Sequence, residues 1–232
     1  MKIETLISFK GAHYPKSVIL YAVYFYVRFA VSYRDLEEIM VERGMDVDHA
    51  TLNRWVAKYA GAIADEAHRR KRPTSRSWRM DETYIKVKGK WTYLYRAIDK
   101  QGQTLDFMLS ERRDEAAATT FFAKTIARNG WPDKVIIDKS GSNAAGLFNM
   151  NCLLVIKSWC WLIDILQVKY LNNIIEQDHR FIKKITRPMQ TFKSFNSAAA
   201  TLSGIEVAHM IRKGQFDRSE RSGFTQFAEL AG

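Results

Sequence analysis

"WRMDETYIKVKGKWTYLYRAIDKQGQTLDFMLSER" occupies residues 78–112 and decides what kind of fold this chain can form. Apolar and polar side chains alternate through "WRMDETYIKVKG", the period of a strand with one covered face. A Lys88-Gly89-Lys90 turn follows, then "KWTYLYRAIDKQG", then a second break at Lys100-Gln101-Gly102 and the run "QTLDFMLSER". Three short strands with tight connections predict an antiparallel meander. Downstream, Asp114 is placed to cap a helix reaching about Asn129, Trp131-Pro132 breaks it, and "KVIID" (134–138) reads as a short buried strand. Lys139 to Gln167 has no clear period. Val168–Leu171 predicts one more strand, leading into a helix that Pro188 ends, and a last helix is expected over 198–212. Strand-strand-strand-helix-strand is an α/β order in which the first and fourth strands can lie side by side and parallel.

Upstream the texture is helical. Residues 16–31 are apolar nearly all round, which predicts a buried helix. Ser32, with Asp35 three residues on, can cap a second helix carrying Leu36, Ile39 and Met40, and Gly44 sits where a left-handed residue ends it. Asp48 can cap a third, with Leu52, Trp55, Val56 and Tyr59 inward. Two helices joined by a tight Gly-containing turn have helix-turn-helix proportions. His49, Asn53, Arg54 and Lys58 then face outward, residue types suited to base edges and phosphates. The competing reading is a plain helical hairpin with a solvated polar face. "HRRKRPTSRS" (68–77) marks the boundary between the two periodicities. The expected domains are 1–70 helical, 71–77 a basic linker, 78–215 catalytic, and 216–232 a C-terminal tail.

The charge balance points to a polyanion. Among 232 residues, 36 Lys and Arg face 25 Asp and Glu, a formal charge of +11. Nucleic acid is the commonest partner of such a chain. The longest apolar run, Val18 to Val27, is too short for a membrane span, and no signal-peptide anatomy is present, so a reducing cytoplasm is expected. Cys152 and Cys160 lack the spacing of a zinc site, and a disulfide is improbable.

Three acids stand out against this basic background. Asp81 sits inside the first strand, where propensity disfavours it, and Asp138 closes the fourth, at the edge where ligands gather. Glu176 lies on the late helix within "LNNIIEQDHRFIKK" (171–184). Two carboxylates about 5 Å apart repel by roughly 3 kcal/mol at an effective dielectric near 20. A cluster of three is therefore hard to explain as scaffolding, and hard divalent cations are the natural reason to keep one. On helical spacing His179, Arg180 and Lys183 share the side of Glu176, whereas Asp178 faces elsewhere. Strand alternation sends Glu82 away from Asp81. Asp164 is expected to be an ordinary surface acid. The bland alternative for Glu176 is an i to i+4 pair with Arg180.

Residues 78–114, "VIIDKSGSN" (135–143) and "VKYLNNIIEQDHRFIKKITRPM…GIEVAHMIRKGQ" (168–215) resemble bacterial insertion-sequence transposases of the DDE class, best the cointegrate-forming insertion sequence six family. The resemblance implies a ribonuclease H-like, retroviral integrase-type catalytic core with a mixed sheet, preceded by a small helix-turn-helix domain. It implies that Asp81, Asp138 and Glu176 form a catalytic triad holding two Mg2+ ions, with Mn2+ as a substitute. It also implies that Lys183 is the basic residue that follows the Glu. Lys139, Arg180, Lys183 and Arg187 are the expected DNA-contacting cations beside the triad. The stretch between Asp138 and Glu176 is longer than the resemblance implies.

The function expected is a transposase that binds the inverted repeats ending its element, nicks the DNA to free 3′-hydroxyls and joins them to target DNA. Its partners would be double-stranded DNA and further copies of itself, at least a dimer, in the nucleoid-associated cytoplasm of a bacterium. Two alternatives use part of the same features. A ribonuclease H-like nuclease would only hydrolyse, and a non-enzymatic helix-turn-helix regulator would leave Asp81 and Asp138 without a purpose.

Overall fold

A computed structural model describes residues 7–157, 159–189, 191–216 and 221–232. Residues 1–6 of the expected N-terminal domain and 217–220 of the expected tail lie outside the described residues. The chain divides into two compact units, residues 1–72 with 181–232, and residues 73–180.

The first unit is helical. α1 (Lys16–Arg28) buries Ile19, Leu20, Ala22, Val23, Tyr26 and Val27, so its apolar surface is covered on one broad side. α2 (Tyr33–Glu42) starts at Ser32 with a reciprocal cap: Ser32 Oγ accepts from Asp35 N at 3.1 Å and Asp35 Oδ2 accepts from Ser32 N at 2.7 Å. Such a box satisfies two otherwise orphaned donors. Gly44 adopts φ +75°, and Asp48 accepts from Thr51 N to open α3 (His49–Arg70), which runs well past the short recognition helix expected. α8 (Phe195–Arg212) packs on both α1 and α3. Gly204 on α8 has no room for a side chain, since a Cβ there would lie 2.6 Å from Val27 Cγ1. α9 (Gly223–Glu229) packs on α1 and α8 and buries Phe227. Residues 181–212, expected with the catalytic core, thus group with the N-terminal helices, and the expected tail carries a packed helix. The reason is the apolar face of α8, which reads equally well as a partner for either unit.

The second unit holds one five-stranded sheet in the order β3-β2-β1-β4-β5. β1 (Ser77–Val87) and β2 (Lys90–Asp99) form the predicted hairpin, with both Lys88 (φ 48°) and Gly89 (φ 77°) left-handed as a two-residue turn requires. β3 (Thr104–Ser110) completes the antiparallel meander, and β4 (Lys134–Ile137) lies parallel to β1, as the element order predicts. α4 (Glu115–Asn129) opens on Asp114 and packs against α5 (Gly141–Ile156). Trp78, Met80, Tyr95, Phe121, Phe122, Val135, Leu147 and Leu154 form the core between sheet and helices.

Two sequence expectations change here. The last strand, β5, is Asp164–Gln167 rather than 168–171, which is instead a 3-10 turn (Lys169–Asn172). The late helix is interrupted: α6 (Asn173–Asp178) and α7 (Arg180–Thr186) are separated by a turn at His179. No helix among the described residues is long and apolar enough to cross a membrane.

Candidate active site

β4 pairs with β1 only at residues 77–79 of β1, so from Met80 onward that side of β1 carries no strand. The 3-10 turn takes over there: Asn172 Nδ2 donates to Met80 O at 3.1 Å, and Arg79 Nε donates to Leu171 O at 3.0 Å. Asp81 lies just beyond the last β1–β4 pair, and Asp138 follows the last residue of β4. Asp138 Oδ1 accepts from Ser140 N at 3.1 Å, which fixes the turn into α5. The expected convergence of Asp81 and Asp138 is present, and a third carboxylate joins them. Asp81, Glu82 and Asp138 each offer an oxygen within 4.8 Å of the others'.

Glu82 was expected to point away. Strand alternation does send it to the face of Trp78 and Met80, where Arg113 Nε lies 3.4 Å from Oε1 and Asn143 Nδ2 donates to Oε2 at 3.2 Å. Its carboxylate nevertheless comes near the other two, because no strand pairs with this edge of β1 beyond Arg79 and a long side chain can reach the edge from its own face. Burial pushes the Glu82 carboxyl above the usual range, against the lowering effect of Arg113 and Asn143. Arg113 also approaches Asp138 Oδ2 at 3.7 Å and is the counter-charge shared by these two acids.

On the opposite face, Asp81 Oδ2 lies 3.2 Å from His179 Nε2, and His179 Nδ1 lies 3.3 Å from Arg96 NH1. Arginine can only donate, so Nδ1 accepts and the ring proton sits on Nε2, donating to Asp81. Arg96 is wholly buried and holds Asp178 at 2.8 Å with its other terminal nitrogen. Asp178 and His179 thus act together through Arg96 to set the orientation of Asp81. Sequence spacing had put His179 on the side of Glu176 and given Asp178 no part; the break after α6 places both against the sheet.

Glu176 is exposed and stands outside the carboxylate cluster. Asn172, Ile175 and His179, spaced three and four apart, are the buried positions of this segment, and Glu176 is one residue, about 100°, round from Ile175. It forms no ion pair with Arg180 among the described residues, so the salt-bridge alternative is absent too. Asp164 is exposed and pairs with Lys134 at 3.4 Å, as a surface acid does.

Of the expected DNA-contacting residues, His49, Arg54, Lys58, Lys139, Arg180, Lys183 and Arg187 are exposed and Asn53 is half-buried. His49 Nδ1 lies 2.9 Å from Glu37 Oε2 and so ties α3 to α2, while Arg54 donates to Thr51 Oγ1 at 2.7 Å on its own helix. Sequence reasoning missed Arg96, Arg113 and Asn143, set Glu82 apart from Asp81, and put His179 beside Glu176 rather than Asp81. For Arg96 the signal was present: a charge inside "YLYRAI" that hairpin register places directly opposite Asp81.

A family model described as a DDE domain matches residues 75–215. The chain is 40% identical over 224 residues to a transposase for the insertion sequence-like element IS431mec of Staphylococcus aureus, covering 96% of each chain. It is equally similar, over the same shares, to the transposase for insertion sequence element IS257 in transposon Tn4003, also from Staphylococcus aureus. Among solved structures, the HTLV-2 integrase catalytic core domain is 16% identical with a TM-score of 0.45, covering 68% of this chain and 99% of that one. The mixed five-stranded sheet, its flanking helices and the helical N-terminal region make this a ribonuclease H-like core with an added helical part. With the family match over most of the chain and two acids converging beside β1 and β4, the protein belongs to the DDE transposases of the insertion sequence six family.

Proposed function

We propose that this transposase binds the inverted repeats at the ends of its element, nicks them to free 3′-hydroxyls, and joins those hydroxyls to target DNA to give a cointegrate after replication. Asp81, Asp138 and Glu176 are the acids assigned to the chemistry. The observation that carries the reading is the approach of Asp81 and Asp138 from adjacent parallel strands to within 4.8 Å.

The donor set fits hard cations, since it is made of carboxylate oxygens alone. Asp81 and Asp138, with Glu82 within reach of both, would hold a magnesium pair, and Glu176, which stands outside this cluster, is the acid proposed to complete it. Such a pair, or manganese in its place, supplies Lewis-acid activation of the attacking and leaving oxygens of a phosphodiester. The chain's own residues do the positioning. His179 Nε2–H holds Oδ2 of Asp81, and Ser140 N holds Oδ1 of Asp138. Oδ1 of Asp81 makes no hydrogen bond among the described residues. Arg113 offsets the charge of Glu82 and Asp138, and its NH1 also lies 3.3 Å from the Tyr84 hydroxyl. α3 reads the inverted repeat through Asn53, Arg54 and Lys58, and Lys139, Arg180, Lys183 and Arg187 contact phosphates. Two ends must be held at once, so the working unit is at least a dimer.

Purified protein incubated with magnesium and labelled element ends should give joined products. Asp81→Asn, Asp138→Asn and Glu176→Gln should each abolish nicking and joining while end binding persists. If Glu176→Gln still joins ends and Glu82→Gln does not, the third carboxylate is Glu82 and the assignment of Glu176 fails.

A further inference from the structure

α5 carries no charged residue from Gly141 to Ile156, in a chain where about one residue in four is charged. One face of it is spent on the core through Asn143, Gly146, Leu147, Met150 and Leu154. Gly146 lets α4 approach so closely that a Cβ there would lie 2.9 Å from Ala118 Cβ. The opposite face is apolar as well. Phe148 is 64% exposed, Val155 62% and Ile156 77%, and with Cys152 they follow the i, i+4, i+7, i+8 spacing of a single stripe. A helix that is apolar all round is ordinarily covered on every side.

We infer that this outer stripe of α5 is the docking surface for a second copy of the chain, α5 against α5 about a two-fold axis. Three observations favour that occupant. The first is charge. Two copies at +11 repel over most of their surfaces, and an uncharged stripe lets them meet without opposed cations or stranded acids. A single exposed cation beside the stripe, Lys157, is a poor hold on DNA, which is bound through several phosphate contacts. The second is area. Phe148, Leu153, Val155 and Ile156, followed by exposed Trp159 and Leu162, leave on the order of 100 Å² each, about 600 Å² per copy. That approaches the roughly 800 Å² each partner gives to a standard interface and lies at the top of the range, about 300–600 Å², of an ordinary monomer's largest apolar patch. The third is composition: the stripe on α5 is aliphatic and aromatic, with exposed Lys157 at its edge after Ile156, and apolar side chains mark the centre of homodimer interfaces while charges keep to the rim. The inference deepens the reading that two DNA ends are held together, by naming the surface that joins the copies holding them.

The test measures self-association of the full chain by analytical ultracentrifugation, without DNA, alongside single-end binding. Phe148→Glu with Ile156→Glu should weaken self-association by about 100-fold or more, because the two-fold axis sets like charges against each other. Because both side chains already face water, thermal unfolding and single-end binding should match wild type. Joining of two ends should fall with the dimer and recover in Phe148→Leu. A wild-type protein that stays monomeric at tens of micromolar, or a charged variant that dimerises as wild type does, overturns the inference. So does loss of folding in the charged variant combined with an unchanged dimer in the milder Val155→Thr/Ile156→Thr pair. Absence of joining by a wild-type dimer would instead count against the proposed function alone.

Discussion

Removing the buried charge of Arg96 should cost far more than removing an ordinary surface arginine. Arg96 is 0% exposed, its partner Asp178 13%, and they meet at 2.8 Å. At an effective dielectric near 20, charges about 4 Å apart attract by about 4 kcal/mol, whereas exposed pairs yield about 0–1 kcal/mol. Arg96→Met removes the buried ion pair with Asp178 and the contact to His179 Nδ1, so the loss should be about 3–5 kcal/mol, the usual result of breaking a buried pair. Asp178→Asn alone takes the carboxylate away from the buried guanidinium and should cost a similar amount. The double substitution removes both charges at once, so it should be less damaging than the two losses added, by about 2–3 kcal/mol. Urea unfolding of the four proteins at neutral pH, followed by the fluorescence of Trp78 and its neighbours, gives this coupling directly. In the same proteins Asp81 loses its orienting histidine, and joining should fall even where the fold survives. A coupling below about 0.5 kcal/mol would mean that the pair behaves as a surface contact, and the account of how Asp81 is held would fail.

Glu82 offers a test by pH. Its folded-state pKa is raised by burial, so the folded state binds the proton more tightly than the unfolded state. The wild-type stability therefore falls as pH rises from the ordinary carboxylate range through the raised value, and Glu82→Gln should flatten that slope and gain stability at neutral pH. Parallel denaturation curves at every pH would refute this. Gly146→Ala should destabilise by about 1–3 kcal/mol, because the new methyl meets the Ala118 backbone carbon at 3.0 Å; an unchanged unfolding midpoint would show that α4 and α5 can part freely. Arg54→Ala in the full chain should weaken end binding and lower the salt slope by about one unit, and equal loss on unrelated DNA would assign it to phosphate rather than sequence.

Much of the second unit is legible in the sequence because its signals are local. The Lys88-Gly89 turn fixes the β1–β2 register, and counting back from it already sets Asp81 opposite Arg96. Asp114 and Asp48 announce their helices through caps that form as read. Positions set by longer-range packing were not legible. Whether β4 would stop short of Asp81, freeing the edge to Glu82, depends on a strand only four residues long. The break at His179 has no Gly or Pro to mark it; it arises because His179 and Asp178 are drawn to a buried arginine from another strand. Continuous helical counting across that break therefore put His179 on the side of Glu176 and gave Asp178 no part in the site. The grouping of α8 with α1 and α3 was invisible for a similar reason, since an apolar face does not name its partner.

The helical unit's discontinuity bears on when the protein becomes competent. α1 and α3 leave the ribosome early, but the helix that covers them ends at Arg212. At about 5–20 residues per second, synthesis reaches that point some 7–30 s after Arg70 appears. Through that interval Val27, Ala60 and their neighbours lack the side chains that later bury them, and a chain cut short before α8 never acquires them. Residues 1–72 made alone should thus be poorly soluble and weak at reading DNA. Messages broken within the catalytic part would yield fragments that do not compete with finished enzyme for element ends.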